Sequence, residues 1–188
     1  MKNKGFTLIE LVVVVSVIAI LSVVFLANYR GGEGDFALKR SAHRLAQDIR
    51  DAEERSTATQ DFKGIYQGGY GIFLTEGSSS YILFVDCNGD GLYNEGAYNC
   101  QDCTSGSCIA SSFTEEVESL SLEEGSLISN LVPDTSGNLS ISFIPPDPSV
   151  LFSPDASEIT IQIQGDAAGG TKTETIRVNE VGLITVVQ

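Results

Sequence analysis

The sequence lacks tryptophan, contains a single histidine and is poor in positive charge, and these shortages argue against several functions. His43 has no nucleophile or acid partner indicated nearby in the sequence, so a surface histidine is expected and not a catalytic base. The 11 Lys and Arg residues are outnumbered by 25 Asp and Glu residues. This composition does not indicate a hydrolase. It does not favour a nucleic-acid-binding protein either, because phosphate contacts need Lys or Arg.

Positive charge is scarcest after residue 60. Residues 61–188 contain 18 Asp and Glu residues against Lys63, Lys172 and Arg177, a formal charge of −15. This region should repel naked nucleic acid and anionic surfaces. Between residues 40 and 55 arginines are interspersed with acidic residues, which is typical of a solvated helical face.

Charge and proline are both absent from the apolar run between Leu11 and Leu26. The 21 residues from Phe6 to Leu26 would form a helix of roughly 31 Å, enough to cross a hydrocarbon core of about 30 Å. Because the residues are apolar on every face, lipid or a bundle of like helices must surround this helix. Lys2 and Lys4 precede it and predict that its N-terminal end stays in the cytoplasm. The sequence thus predicts one membrane span with the rest of the chain outside the cytoplasm.

Glu10 is the one ionisable residue inside this apolar segment, about one turn from its start. A lone charge there costs at least a few kcal/mol, so the carboxyl needs a partner or a proton. The alternative is that Glu10 lies in the headgroup zone and has no role.

The residues around Glu10 resemble the class III signal of type IV prepilins: a short basic leader, a glycine, a phenylalanine and a glutamate at the fifth mature position. The signal here is Lys2-Asn3-Lys4-Gly5 followed by Phe6-Thr7-Leu8-Ile9-Glu10. The resemblance implies that a membrane prepilin peptidase cuts between Gly5 and Phe6 and methylates the new amine of Phe6. It also implies that Glu10 pairs with the Phe6 amine of a neighbouring subunit.

The chemistry of these residues is consistent with such processing. Glycine leaves the scissile bond unhindered, and the cut creates a cation four residues, about one helical turn, from the Glu10 carboxylate. An ordinary secretory leader is the alternative. Phe25-Leu26-Ala27 is a poor cleavage site for such a leader, and Glu10 interrupts its apolar core.

The part after the span, about 160 residues, is long enough for one soluble domain with its own core. Gly31, Gly32 and Gly34 predict a kink or a short break in the helix. Apolar residues then recur at spacings of three and four, which predicts an amphipathic helix over residues 35–59. Its stripe of apolar residues can pack on a sheet. The stripe consists of Leu38, Ala42, Leu45, Ile49 and Ala52.

After Phe62 the pattern changes to the alternation of β-strands. Two strands form a hairpin around residues 76–79, with apolar faces made of Tyr70, Ile72 and Leu74 and of Tyr81, Leu83 and Val85. Further strands are predicted over residues 116–122, 127–132, 139–144, 158–164, 173–178 and 183–187.

The predicted fold class is therefore α+β. A long N-terminal membrane-spanning helix continues, after a glycine break, into an amphipathic helix packed on an antiparallel β head of about seven or eight strands in two sheets. The predicted parts are a cleaved leader over residues 1–5, a membrane-spanning and filament-core helix over 6–29 and an extracytoplasmic head over 30–188. The β part of the head covers residues 62–188, with a Cys-rich insert over 86–112.

The order of these elements and several head segments resemble the H-type minor pseudopilins of type II secretion and the related FimT-like minor pilins. Three of the segments are Leu122-Glu123-Glu124-Gly125, Ile141-Ser142-Phe143-Ile144-Pro145 and the run from Ile176 to Ile184. The resemblance implies a non-enzymatic subunit, stored in the inner membrane and assembled with other pilins or pseudopilins through its N-terminal helix. The insert has no counterpart in that pattern.

The insert begins with an incomplete calcium motif, in which oxygen-bearing side chains alternate before a glycine. The twelfth position, which should supply a bidentate Glu, is Ala97, and Glu95 or Asp102 could replace that ligand. An acidic β-turn without a metal is the alternative, and the sequence leaves both open. The candidate calcium ligands are the side chains of Asp86, Asn88, Asp90 and Glu95 and the backbone carbonyl of Leu92.

The four cysteines all lie in the insert, outside the cytoplasm by the predicted topology, where disulfides form and persist. Two disulfides are predicted, with three connectivities open. Zinc is the competing hypothesis because Cys100-x-x-Cys103 has ligand spacing, but a second such pair is missing. The cysteines are Cys87, Cys100, Cys103 and Cys108.

The sequence favours assembly as the function: a structural, minor subunit of a type IV pilus or of a type II secretion pseudopilus. One alternative is a minor pilin whose head captures DNA or a secreted substrate, which a basic or aromatic patch would indicate. Another is a membrane-anchored hydrolase, which would need a nucleophile with a base.

Overall fold

The computed structural model describes residues 5–58, 60, 62, 69–102, 109–133, 136–145, 149–167 and 170–187, without the side chains of 26–32, 97–102, 109–113 and 167. Within these residues there is one helix, α1, which spans Leu8–Thr57 and has 50 residues. Its first part, up to Phe25, is exposed on every side, whereas its later part packs on β-strands.

The glycines do not interrupt the helix. The backbone of α1 stays helical through Gly31, Gly32 and Gly34, where the sequence predicts a break. Each glycine costs about 1 kcal/mol relative to alanine in a helix, but it keeps its backbone hydrogen-bonding groups, and no proline removes a donor nearby. The helical segments on either side are long enough to carry the hydrogen-bond ladder across, so the propensity of three residues is overridden.

Eleven strands follow in the described part of the chain. They are β1 Gly69–Thr75, β2 Ser80–Asp86, β3 Ala97–Asp102, β4 Ile109–Thr114, β5 Glu116–Ser121, β6 Ser126–Val132, β7 Asn138–Ile144, β8 Ser149–Ser153, β9 Glu158–Ala167, β10 Gly170–Asn179 and β11 Ile184–Val187. A five-stranded antiparallel sheet has the order β5-β2-β1-β7-β8, and a four-stranded antiparallel sheet has the order β11-β10-β9-β6. Strands β3 and β4 pair with each other apart from the two sheets, and β4 runs two residues beyond the predicted insert. The α+β class with two sheets is confirmed.

The core lies where α1 crosses the inner faces of both sheets. All five residues of the predicted apolar stripe are buried, so the amphipathic helix is confirmed, and His43 lies on its exposed side. The helix contacts β1 and β7 of the larger sheet and all four strands of the smaller one. Alternate residues of the strands face it, among them Ile72, Leu74, Ile141, Phe143, Ile161, Ile163, Ile176 and Val178.

The predicted hairpin is present, with Ile72 opposite Leu83 and Leu74 opposite Tyr81. Six other predicted strands correspond to β5, β6, β7, β9, β10 and β11, with ends that differ by a few residues. The two sheets contain nine strands against the predicted seven or eight, because the sequence analysis omits β8; the β3–β4 pair lies outside the two sheets. Strand β8 lies between Pro148 and Pro154, a context typical of a loop, and it is tolerated there as an edge strand of its sheet.

Candidate processing and assembly site

The chain is extended and open just before α1 begins. Thr7, the N-cap residue, has extended backbone angles (φ −79°, ψ 150°), and the Phe6 side chain is 83% exposed. A Cβ built on Gly5 would meet no other described part of the chain within 4 Å. The bond between Gly5 and Phe6 therefore lies outside the helical hydrogen-bond ladder, and a larger residue at Gly5 would be accommodated by the fold.

Glu10 is engaged by the N-terminus of its own helix. The Glu10 carboxylate accepts hydrogen bonds from the Thr7 backbone N–H (3.2 Å) and from the Thr7 hydroxyl (3.1 Å), while the Glu10 N–H donates to the Thr7 hydroxyl oxygen (3.3 Å). This is a capping box, which satisfies two backbone donors at the start of the helix. The sequence analysis missed the role of Thr7, although a threonine three residues before a glutamate at the start of an apolar run is the signature of this motif.

The apolar surface of α1 from Leu8 to Phe25 is uncovered. This segment is long and apolar enough to cross a membrane by length and composition, and none of it is buried by the rest of the chain. Its two hydroxyls bond within the helix, Ser16 to the carbonyl of Val12 (2.8 Å) and Ser22 to that of Ile18 (2.7 Å). The polar groups of the segment are thus satisfied internally, as an apolar surrounding requires.

Together these features place a carboxylate at the end of an apolar rod, beside the point where cleavage would create an amine. The N–H that Glu10 accepts belongs to Thr7, the residue directly after Phe6. A new Phe6 amine would therefore arise next to the capping box.

Residues 1–26 match the family described as the prokaryotic N-terminal methylation motif. The chain carries this motif. The match supports a type IV pilin-like protein, a kind of protein that is structural, is processed by prepilin peptidase and assembles with other pilins. Together with the apolar helix, it fits a membrane-anchored pilin. No curated protein and no solved structure matches the chain.

The predicted calcium residues Asp86, Asn88 and Asp90 lie in a loop that is closed by its own hydrogen bonds. Asp86, only 1% exposed, accepts the N–H of Gly89 at Oδ1 (2.7 Å) and that of Gly91 at Oδ2 (2.8 Å). The two glycines have positive φ angles of 74° and 75°, which let the backbone fold around the carboxylate. Asn88 donates its amide to Asp90 Oδ2 (2.7 Å), and Asp90 Oδ1 accepts the N–H of Leu92 (2.8 Å).

Glu115, a residue that the sequence analysis missed, holds the same loop from the other side. It lies between β4 and β5, is 0% exposed and accepts the N–H of Cys87 (3.2 Å) and of Asn94 (2.8 Å). Burial raises the pKa of Glu115 and of Asp86 above their usual ranges, although the N–H bonds oppose the shift. Nothing in the local sequence distinguishes Glu115 from Glu116, because the loop it holds lies more than twenty residues earlier.

The calcium site stays a prediction. In the described part of the chain, no group of three or more His, Cys, Asp and Glu side chains is arranged to hold a metal ion. Glu95 and Leu92 are exposed, and the side chain of Asp102 lies outside the described residues.

Among the cysteines, only the side chain of Cys87 is described, and it is disulfide-bonded. The side chain of Cys100 and the whole of Cys103 and Cys108 lie outside the described residues. The number of disulfides and their connectivity therefore stay predictions.

Proposed function

We propose that this chain is a minor structural subunit of a type IV pilus or of a type II secretion pseudopilus. It is held in the inner membrane by α1 with its head outside the cytoplasm, cut between Gly5 and Phe6 by prepilin peptidase and assembled through α1. The observation that carries the proposal is the fully uncovered apolar surface from Leu8 to Phe25, preceded by the matched motif. Such a surface needs lipid before assembly and like helices after it.

Glu10 supplies the specificity of assembly in this proposal. A charged carboxylate at the end of an apolar rod is costly without a partner of opposite charge. The methylated Phe6 amine of a neighbouring subunit is such a partner, and it would displace the weaker contacts of Glu10 with Thr7. Helices would then join in one register, because only one stagger brings the two charges together.

The first test separates processing from folding. Gly5→Leu should leave the full-length species on a gel, because the new side chain blocks the peptidase while the folded chain has room for it. Wild-type processing of Gly5→Leu would contradict the proposed cleavage site.

The second test separates the charge of Glu10 from its capping role. Glu10→Gln keeps a capping box, which accepts Glu or Gln, but removes the charge. It should be cut and inserted normally, while its amount in filaments sheared from cells falls about tenfold or more, since losing one partner of an ion pair in apolar surroundings costs more than about 1.4 kcal/mol. Thr7→Ala, which removes the cap and keeps the charge, and Glu33→Gln, farther along α1, should assemble. Normal incorporation of Glu10→Gln would overturn the proposal.

A further inference from the structure

Leu92, Tyr93 and Asn94, from the first part of the insert, lie over the outer face of the five-stranded sheet. Ile72 and Leu74 of β1 face the core, so Phe73 between them faces the other way, away from α1. The Tyr93 ring, from the insert, packs against the Phe73 ring with centroids 5.0 Å apart and against the Phe84 ring with centroids 5.7 Å apart. This aromatic cluster lies on the side of the head that is opposite to the helix.

An open cavity of about 230 Å³ lies where the insert meets this face. The rings of Phe73 and Tyr93 form one part of its lining, and the side chains of Asn138, Ser140 and Ser153 form another. Ser140, which lies opposite Phe73 on the outer face of the sheet, is only 3% exposed, and a hydroxyl with so little exposure is normally paired. Within the described residues, no hydrogen bond engages the side chains of these three polar residues, so their donors and acceptors are available to a ligand.

The lining chemistry restricts the class of ligand. None of the described lining residues is charged, so neither an anionic nor a cationic group would find a counter-charge there. A purely apolar ligand would leave several hydroxyl and amide groups without partners. The cavity is also smaller than the range of roughly 300–1,000 Å³ that is usual for drug-sized ligands, which favours a single small ring.

We propose that this cavity binds a neutral sugar residue, such as the end of an uncharged glycan. A sugar ring presents an apolar C–H face that can pack on an aromatic ring, and hydroxyls around its edge that both donate and accept hydrogen bonds. Phe73 and Tyr93 supply the apolar side, while Asn138, Ser140 and Ser153 bind the hydroxyls. The pilin-like subunit thus has a recognition site on its head in addition to its role in assembly.

The part of the insert that lines the cavity is held in place by hydrogen bonds to buried carboxylates. Asn94, which also lines the cavity, is held through its backbone N–H by the buried Glu115, and Asp86 holds the preceding turn. The disulfide-bonded Cys87 lies directly after β2. A preorganised loop loses little conformational freedom on binding, which favours affinity for a small ligand.

Ligand-observed saturation-transfer NMR on the detergent-solubilised full chain tests the site. The probes are the methyl glycosides of glucose, galactose, mannose and N-acetylglucosamine at about 1 mM, a concentration that suits the weak affinity of a single sugar ring. We expect saturation transfer to the ring protons of at least one probe. Binding is measured on the isolated chain, so the result does not depend on whether the chain assembles into a filament.

Variants of an exposed cavity residue then locate the binding. Asn138→Ala should weaken the affinity for that probe about tenfold, and Asn138→Asp should too, since it places a charge in the cavity. Asn130→Ala is the matched control, because Asn130 lies in the other sheet and bonds to Gln162. Three results would overturn the proposal: no transfer to any neutral probe, equal affinity in Asn138→Ala, or binding confined to sulfated or sialylated glycosides or to a DNA duplex.

Discussion

At the scale of single residues, two buried carboxylates, Asp86 and Glu115, hold the first part of the insert, residues 87–94. Each accepts two backbone N–H groups, so four donors of an irregular loop are satisfied by side chains and not by a strand ladder. Their burial is costly because carboxylates lose hydration, and the negative charge of Asp86 adds to the cost at Glu115. The hydrogen bonds that hold the loop are therefore made by carboxyl groups whose burial favours the protonated, neutral form.

This arrangement predicts a pH dependence of stability. Burial raises the folded-state pKa of Asp86 and of Glu115 above their values in the unfolded chain, about 3.9 and 4.3. Between the unfolded and folded values the native state binds more protons, so the free energy of unfolding rises as pH falls from neutral, and it levels off below about pH 4. The gain is lost again as pH rises through the folded-state pKa values. Thermal melts of the full chain in detergent from pH 7 to pH 4 measure the slope.

Protonation of the other carboxylates also relieves repulsion within the acidic head, and this too raises the free energy of unfolding as pH falls. Variants are therefore needed to separate the two effects. Asp86→Asn should flatten the slope, and Asp90→Asn, at an exposed carboxyl of the same loop, should change it little. Equal slopes in the two variants would show that the buried carboxylates are not responsible.

The predicted calcium site leads to a second residue-scale test. Asp86, Asn88 and Asp90 already accept backbone N–H groups of their own loop, so their side-chain oxygens have partners without a cation. We therefore expect the melting temperature of the oxidised chain to be the same with EGTA and with millimolar calcium. A rise with calcium that disappears in Asp90→Ala would show instead that the loop rearranges to bind the ion.

At the scale of elements, the junction between α1 and the larger sheet depends on one buried hydroxyl. Ser56, in the last turn of α1, donates to the carbonyl of Phe143 in β7 (2.7 Å) and accepts the N–H of Tyr70 in β1 (2.6 Å). The hydroxyl therefore joins the helix to two neighbouring strands. The close packing of β1 and β7 at this point also explains Gly69, where a side chain would clash with the carbonyl oxygen of Phe143.

Removing the Ser56 hydroxyl should lower the free energy of unfolding. Ser56→Ala leaves a buried donor and a buried acceptor with one partner fewer, which costs about 1–3 kcal/mol. Urea unfolding of the full chain should show a lower midpoint at an unchanged slope. The neighbouring Thr57→Ala is the control, since Thr57 is exposed and its hydroxyl donates to the carbonyl of Glu53 in the same helix (2.9 Å). A midpoint for Ser56→Ala equal to that of Thr57→Ala would refute the linking role.

At the scale of the whole molecule, the chain separates into an uncovered apolar rod and an acidic head. The rod is suited to lipid or to other helices, and the head carries most of the net charge. Exposed cations on α1 include Lys39, Arg40 and Arg44, and Arg40 is already near Glu123 of the head (3.5 Å). The apolar part of α1 is thus a surface on which other helices can pack. The acidic head, in contrast, provides few cations that could bind a polyanion.

We expect that the detergent-solubilised full chain does not bind duplex DNA at physiological salt, because phosphate contacts need Lys or Arg and residues 61–188 carry a formal charge of −15. A mobility-shift or anisotropy titration measures this. Micromolar affinity that falls steeply with added salt would contradict the expectation. Loss of that affinity in a Lys39→Ala, Arg44→Ala double variant would then assign it to the helix.

The sequence by itself determined the features that depend on near neighbours. The matched motif, the apolar span and Glu10 within it all lie within residues 1–26, so all three are visible in a short stretch of sequence. The buried stripe of α1 follows from a spacing of three and four, and the hairpin of β1 and β2 follows from alternation on either side of a short turn. Each of these signals repeats within a dozen residues, so periodicity and turn chemistry suffice to find it.

Only the tertiary structure decided which distant residues meet. Glu115 and Cys87 are 28 positions apart, and Phe73, Tyr93 and Asn138 come together from β1, the insert and β7 to line one cavity. The short strand β8 depends likewise on its pairing with β7. A local pattern fixes which face of a strand is apolar. It does not fix which strands pair or what covers their outer face, because those contacts gain their free energy from partners that are far away along the chain.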